Sequence, residues 1–390
     1  MIPYGRHHID EEDIQAVVDV LRGPALTQGP CIEEFERAIA SYVGVKYAVA
    51  VSSGTAALHL ATIAAGVGPG RSLITSPMTF VATANAALFA GGRPVFTDID
   101  PDTVNMCPSG LAEALGRNLD ARAVIPVHFA GLPCDMPAIA EATAQAGAVV
   151  IEDAAHALGS SYRDGSSVGS CAHSLMTIFS FHPVKAIAAG EGGMITTNDE
   201  PTHRRLLRLR SHGINKLDDS YRLPAEAKTS GVRNLWYYEM QELGFNYRLT
   251  DIQCALALSQ LKKLDGFVAR RRELTGAYDS AFEGFQNCRP AQVAGRDESA
   301  HHLYVLLIDF GSIGMTRAQL MYELRARDIG NQVHYIPVPA HPYYRELGFK
   351  PEDYPEASRY YEQALSIPLF FDLTSDEQNR VIAALGELVG

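Results

Sequence analysis

The chain has 390 residues, a formal net charge of −12 and six scattered cysteines. That length suits one large domain and a smaller one, and the acidic balance argues against a general nucleic-acid role. A phosphorylated small molecule stays possible, because backbone amides at a helix start bind phosphate locally.

No apolar run approaches the ~20 residues needed to span a bilayer. The opening MIPYGRHHIDEED lacks the charged-then-apolar order of a secretory signal. Cys31, Cys107, Cys134, Cys171, Cys254 and Cys288 show no metal-site or CxxC spacing, and His7–His8 has no third ligand nearby in sequence. The expectation is a cytoplasmic protein with reduced thiols, no metal, no membrane and no nucleic-acid partner.

In chain order, DEEDIQAVVDVL places Ile14, Val17, Val18 and Leu21 on one helical face, with Asp10 as N-cap. IEEFERAIASYVG repeats the pattern through Ile32, Phe35, Ile39 and Tyr42, and Gly44 stops it. Then YAVAV, SLITS, RPVFTDI, RAVIPV, AVVIED and LMTIFSF read as buried strands, the earlier ones separated by helical stretches. Runs this short and apolar predict an α/β fold with a mainly parallel sheet covered on both faces. SSYRDGSSVG and EGGMITTNDE read as hairpins or an antiparallel edge strand. HRRLLRLR reads as a helix with a solvated face, some of whose arginines are candidates to meet a diphosphate.

Near residue 250 the character changes. Residues 249–282 predict one long helix, about 50 Å at 1.5 Å per residue. HLYVLLIDF, TRAQLMYELRARDIG and NQVHYIPV then give strand, helix and strand, and Thr374 with Glu377 forms a capping box for the last helix. We therefore expect residues 1–250 as a large ligand-binding α/β domain. Residues 251–390 would hold the linking helix and a small α+β domain, with the N-terminal residues packing back onto it.

Chemistry concentrates at three places. AVVIED runs a buried strand into Asp153, followed by His156; LMTIFSF leads through Ser180 to Lys185; VAVSSGTAALHL is strand, Ser-Ser-Gly-Thr, helix. In open α/β sheets ligands gather at the carboxyl ends of the strands. A lysine, a buried acid and a phosphate cradle in this order suggest pyridoxal phosphate (PLP): an amine for its aldehyde, a carboxylate for its ring nitrogen, a cup for its phosphate. The small residues after Lys185 (AIAAGEGG) would let the chain pass close to a bound ring while the amine swings. The competing readings are plain: Phe80 as core, His182 as packing, His156, His128 and His173 as structural histidines.

The stretches SGTAAL, SPMTFVATANA, EDAAHALG, FSFHPVKAIAAGEGGM, RSHGI, GFNYRLTDIQCALALSQLKKLD and VHYIPV…HPYY resemble the DegT/DnrJ/EryC1/StrS family of sugar aminotransferases over nearly the whole chain. The resemblance implies a PLP-dependent fold type I architecture. It implies Lys185 as the Schiff-base lysine, Asp153 as partner of the pyridine nitrogen, Phe80 stacked on the ring and His156 beside it. Gly54, Thr55, Ala56 and Ser180 would form the phosphate cup. Asn246 would reach the cofactor phosphate of a neighbouring subunit, making a homodimer with shared active sites. Tyr4, Thr27, His182 and Tyr335 would line the nucleotide-sugar site. Ala188 and Ala189 stand where many relatives have threonines, which removes any hydroxyl role there. The implied reaction moves an amino group from L-glutamate to a UDP-linked 4-keto-6-deoxy-N-acetylhexose, in pseudaminic acid-type or related glycan biosynthesis. Another GDP- or dTDP-keto sugar and a sugar dehydrase of the same fold are the alternatives. A non-catalytic regulator would need a DNA-binding module and a basic patch, and neither is seen.

Overall fold

The six apolar runs lie in one seven-stranded sheet, and burial on both faces explains why they read as continuous rather than alternating. A computed structural model describes residues 1–216 and 220–390. Its strands are β1 (Tyr47–Val51), β2 (Ser72–Thr75), β3 (Arg93–Phe96), β4 (Ala121–Ile125), β5 (Val149–Asp153), β6 (Met176–Ser180) and β7 (Gly193–Thr197), in the order β1-β7-β6-β5-β4-β2-β3. β7 is antiparallel to both neighbours; the other pairs are parallel. The six remaining strands therefore end at one common edge. The expectation for EGGMITTNDE is corrected here: β7 is interior and wholly buried, and β1 is the edge strand.

Alternation divides the sheet's side chains between two cores. Ala50, Val124, Val150, Phe179 and Met194 face α2 (Pro30–Val43), α5 (Pro108–Arg117), α6 (Met136–Gln145) and α8 (Asp251–Leu261). Val51, Ile125, Ile151, Ile178 and Ile195 face α3 (Gly54–Ala64), α4 (Val81–Phe89) and α7 (Glu200–Arg210). Asp10 caps α1 (Glu11–Arg22) in a capping box with Asp13. The apolar face of α1 is not its buried one: Asp13 is the buried residue of α1, while Ile14 and Leu21 are exposed.

The long helix predicted after residue 250 is two helices, α8 and α9 (Leu264–Phe282), parted at Lys262–Lys263. At the break Lys263 Nζ pairs with Asp10 at 2.5 Å and with buried Asp13 at 3.0 Å, partners far away in sequence.

Beyond α9, β12 (Cys288–Pro290), β13 (Tyr304–Ile308) and β14 (Ala364–Ile367) form an antiparallel sheet. Leu306, Leu320, Leu365 and Val381 make its core with Tyr278 of α9, α10 (Arg317–Ala326) and α13 (Ser375–Leu388). The strand predicted at NQVHYIPV is absent except for a single bridge, Gln332 with Ser366; Pro337 and Pro339 carry no N–H for a ladder. That segment and α11 (Pro342–Glu346) dock on the large sheet's end instead, with Val338 N–H donating to Pro77 O at 2.9 Å. Asp98 seats α12 (Pro355–Gln363) by accepting from the Glu356 and Ala357 amides at 2.9 and 3.0 Å. At the N-terminus, Ile2 bridges Ile329 and Tyr4 O accepts from Leu369 N–H.

Between α7 and α8 the chain builds two short ladders, β8 (Ile214–Asn215) with β11 (Glu239–Met240) and β9 (Lys228–Thr229) with β10 (Val232–Arg233). Leu223, Val232, Leu235, Trp236 and Met240 are all exposed there. Among the described residues no helix is long and apolar enough to cross a membrane.

Candidate active site

Asp153 is the last residue of β5, and Lys185 follows five residues after the end of neighbouring β6. Parallel pairing of these strands brings both to one edge of the sheet. Asp153 is buried and held on every side. Its backbone bonds Pro126 O and His128 N–H, at 2.9 and 3.1 Å. Its carboxylate accepts from Thr83 Oγ1 at 2.7 Å and from Ala155 N–H at 3.1 Å. Thr79 Oγ1 lies 2.7 Å behind Thr83 Oγ1, so the two hydroxyls form a chain ending on the acid.

Burial pushes the Asp153 carboxyl above its usual range, against the pull of Thr83, Ala155 and the Lys185 charge. Burial also pushes the Lys185 amine down, to about 8, although the Asp153 charge works in the other direction. The two groups feel each other's charge, yet no direct bond joins them. A protonated ring nitrogen would give the buried carboxylate the cation it lacks.

The cradle forms where β1 turns into α3. Ser53 is the N-cap and its Oγ accepts from Ala56 N–H at 3.1 Å, so the Ala56 amide is already engaged. The Gly54 and Thr55 amides have no acceptor within the helix, and the Thr55 side chain is exposed. The turn admits no side chain: a Cβ on Gly54 would stand 2.9 Å from Ser180 Cβ, and one on Gly193 only 2.4 Å from Ser53 O. Ser180 therefore borders the turn from β6. Ser52 N–H donates to Tyr247 O at 2.8 Å, which places the segment of exposed Asn246 beside the same turn.

Phe80, the N-cap of α4, is 59% exposed at this end of the sheet. Its ring lies 6.2 Å from that of Tyr335. Tyr335 reaches across from the smaller sheet's side to His156: its hydroxyl is 3.1 Å from Nε2. His156 Nδ1 is buried with no partner, while the His302 ring lies 4.3 Å away and keeps company with His334 and Tyr4 at the same end. Burial holds His156 well below the ordinary imidazole value.

Two expected residues stand apart from this group. Thr27 is exposed in the loop between α1 and α2, a loop fixed by buried Asp251, whose carboxylate takes the Gly29 and Cys31 amides at 2.8 and 3.1 Å. His182 is exposed in the lysine loop, and its backbone carbonyl accepts from Lys185 N–H at 2.8 Å.

The small residues after Lys185 are packed: Ile187, Ala188 and Ala189 are buried, Ala189 N–H bonds Phe181 O, and the Ala188 amide meets Gln260 Oε1 at 3.4 Å. The arginines of α7 are likewise committed: Arg205 and Arg208 to Glu242, Arg210 to Glu36. Sequence reasoning missed Thr83 and His302. Thr79 and Thr83 four residues apart at a helix start were a usable signal; His302 offered none.

The residues present fit PLP on three observations: a cup closed to any Cβ, an orphaned buried nitrogen on His156, and a buried carboxylate without a cation bonded to it.

The DegT/DnrJ/EryC1/StrS aminotransferase family matches residues 7–386. The chain is 40% identical over 390 residues to the spore coat polysaccharide biosynthesis protein SpsC of Bacillus subtilis, covering 100% of this chain and 97% of that one. It is 38% identical over 369 residues to the UDP-4-amino-4,6-dideoxy-N-acetyl-beta-L-altrosamine transaminase of Campylobacter jejuni, covering 94% and 92%. Among solved structures, the sugar aminotransferase Spr1654 from Streptococcus pneumoniae in its PMP form superposes with a TM-score of 0.88 at 30% identity, over 100% and 99% of the two chains. Helicobacter pylori PseC, an aminotransferase of pseudoaminic acid biosynthesis, superposes with a TM-score of 0.88 at 29% identity, over 100% and 99%.

Proposed function

The chain belongs to the DegT/DnrJ/EryC1/StrS aminotransferase family, with the fold type I architecture and PLP as cofactor, and from that premise we propose the following reaction. An amino group passes from L-glutamate to C4 of a UDP-linked 4-keto-6-deoxy-N-acetylhexose, on a route to a pseudaminic acid-type or related surface glycan. The observation that carries the reading is the convergence of Lys185 and Asp153 from paired strands onto one edge beside a side-chain-free turn. The choice of sugar is supported by likeness to the Campylobacter transaminase and to PseC.

Bound PLP supplies the electron sink through which amino groups are exchanged. Lys185 would hold the cofactor's aldehyde carbon through its amine and would move the proton at the donor's α-carbon. An amine near 8 is suited to that, because a fraction is neutral at working pH and the remainder can return a proton. Asp153 would keep the proton on the ring nitrogen, with Thr83 bonded to one of its carboxylate oxygens. Gly54, Thr55 and Ser180 would hold the phosphate, and Phe80 and His156, the latter bonded to Tyr335, would flank the ring. Tyr4, His182 and Tyr335 would line the approach for the sugar nucleotide.

Exposed Trp236 and Leu235, and Ile14 and Leu21 on α1, support a homodimer. Asn246 would then complete the neighbour's phosphate cup. The presence of Lys185 favours amino transfer over dehydration, which in the lysine-free branch of this fold runs with histidine at that position.

The test is product identification by mass spectrometry and NMR with a panel of 4-keto and 3-keto UDP-, GDP- and dTDP-sugars. Turnover of the UDP-linked 4-keto-6-deoxy-N-acetyl sugar is expected; turnover confined to 3-keto dTDP-sugars refutes the choice. Lys185→Ala is expected to keep the fold and lose turnover, and full activity in that variant overturns the assignment.

A further inference from the structure

Behind Asp153, on the opposite face of β5, lies a buried polar cluster that the proposed reaction does not use. Glu152 is fully buried and accepts from four side chains: His128 Nε2 at 2.8 Å, Ser174 Oγ at 2.5 Å, Thr177 Oγ1 at 3.1 Å, and the Tyr162 hydroxyl. These donors come from the ends of β4 and β6 and from the loop between β5 and β6. His128 is the member that touches both faces. Its ring bonds Glu152 on one side, and its own backbone N–H donates to Asp153 O at 3.1 Å on the other.

The ring's orientation is fixed by its second contact. Cys134 N–H donates to His128 Nδ1 at 3.1 Å. A backbone amide only donates, so Nδ1 carries the lone pair and Nε2 the hydrogen that goes to Glu152. The imidazole is thus a rigid strut between a fixed amide and a fixed carboxylate, with no solvent to replace either bond. Losing the Nδ1 contact leaves the buried Cys134 amide unsatisfied, and losing the Nε2 contact takes from Glu152 Oε2 one of its two donors, so the strand end shifts to relieve it. Because Asp153 is the next residue after Glu152, any such shift moves the carboxylate that faces the ring nitrogen.

We propose that His128 is a positioning residue for the reaction: through Glu152 and its own amide it sets where the Asp153 carboxylate stands. The proposal rests on the assignment of Asp153 made above.

The experiment measures PLP affinity of the apo-protein by absorbance titration, kcat and KM for the sugar nucleotide, and melting temperature, for His128→Phe, His128→Asn and His128→Gln. Gln carries an N–H to the place of Nε2; Asn does not reach it. Phe and Asn are expected to weaken PLP binding and lower kcat by about tenfold, the effect of one charge-assisted hydrogen bond, with KM within about twofold. Gln is expected to restore both to within about threefold of the parent. Equal values for Asn and Gln, or a Phe variant that loses only melting temperature, overturn the proposal. Should none of the three fold, proton–nitrogen NMR of the parent decides: the His128 Nε2–H resonance must move when PLP binds, and a stationary resonance overturns it. Asp153→Ala is the separate control. If it binds PLP as the parent does, the assignment of Asp153 fails; if it loses PLP while the His128 variants do not, only the role of His128 fails.

Discussion

Thr83 Oγ1 sits 2.7 Å from Asp153 Oδ2, with Thr79 Oγ1 another 2.7 Å behind it. A hydroxyl that receives one hydrogen bond and gives the next is polarised toward the carboxylate, and here it also fixes the carboxylate's rotation. Thr83→Val keeps the shape and deletes the donor. Its loss is expected to raise the PLP dissociation constant about tenfold, the lower part of what a bond to a charged group contributes. Thr83→Ser should recover it. An unchanged constant in the valine variant, read by absorbance titration, would show that the bond has no bearing on the cofactor.

Lys185 gives a pH signature. Only the neutral amine attacks an aldehyde, and burial holds this amine down to about 8. Below that value the protonated form dominates, so the rate of PLP capture by apo-protein should climb about tenfold per pH unit. Above it the rate should flatten. Stopped-flow absorbance checks this. A climb continuing to about pH 10 would mark an ordinary, solvated lysine.

Gly193→Ala tests the cup by crowding. The added methyl would meet Ser53 O at 2.4 Å, and backbone on both sides leaves nothing flexible to yield. Overpacking of this kind costs about 1–3 kcal/mol, visible as a lower denaturation midpoint. PLP binding should weaken as well, because the strained atom belongs to the phosphate turn. A variant that melts like the parent would show the turn to be looser than its geometry implies.

The exposed ladder region makes a prediction about assembly. Trp236 is 73% and Leu235 86% exposed in the single chain. Leu235→Glu with Trp236→Glu is expected to convert the proposed dimer to monomers in analytical ultracentrifugation and to abolish turnover, while each chain keeps its circular dichroism spectrum. A double variant that remains dimeric would move the interface elsewhere.

The parts of the structure legible in sequence are those written by local rules. The strand runs, the capping box at Thr374, the N-cap at Asp10 and the stop at Gly44 needed only near neighbours, and each stands as read. That Asp153 and Lys185 lie at one end of the sheet was legible because each follows an apolar run with strand composition. What escaped was written by distant partners. At the helix break Lys263 pairs with Asp10 and Asp13, and no window around residue 263 contains them. β7 reads like an edge hairpin, yet β1 pairs along its free side after a separation of well over a hundred residues. VHYIPV has strand composition, but its prolines and its docking on Pro77 take it out of any ladder. His302 is one more buried histidine until the His156 ring is found against it.

Phe181 N–H donates to Gly192 O, so the segment carrying Lys185 leaves β6 and returns to β7 through a stem closed at its base. An inheritable consequence follows. Because the stem is closed by backbone, the side chain at position 185 takes no part in the pairing of the seven strands, so a lineage can trade that one reactive group for another without first losing its scaffold. New chemistry on this framework is then a matter of point changes inside a sealed cassette, and divergence of activity need not wait for divergence of shape.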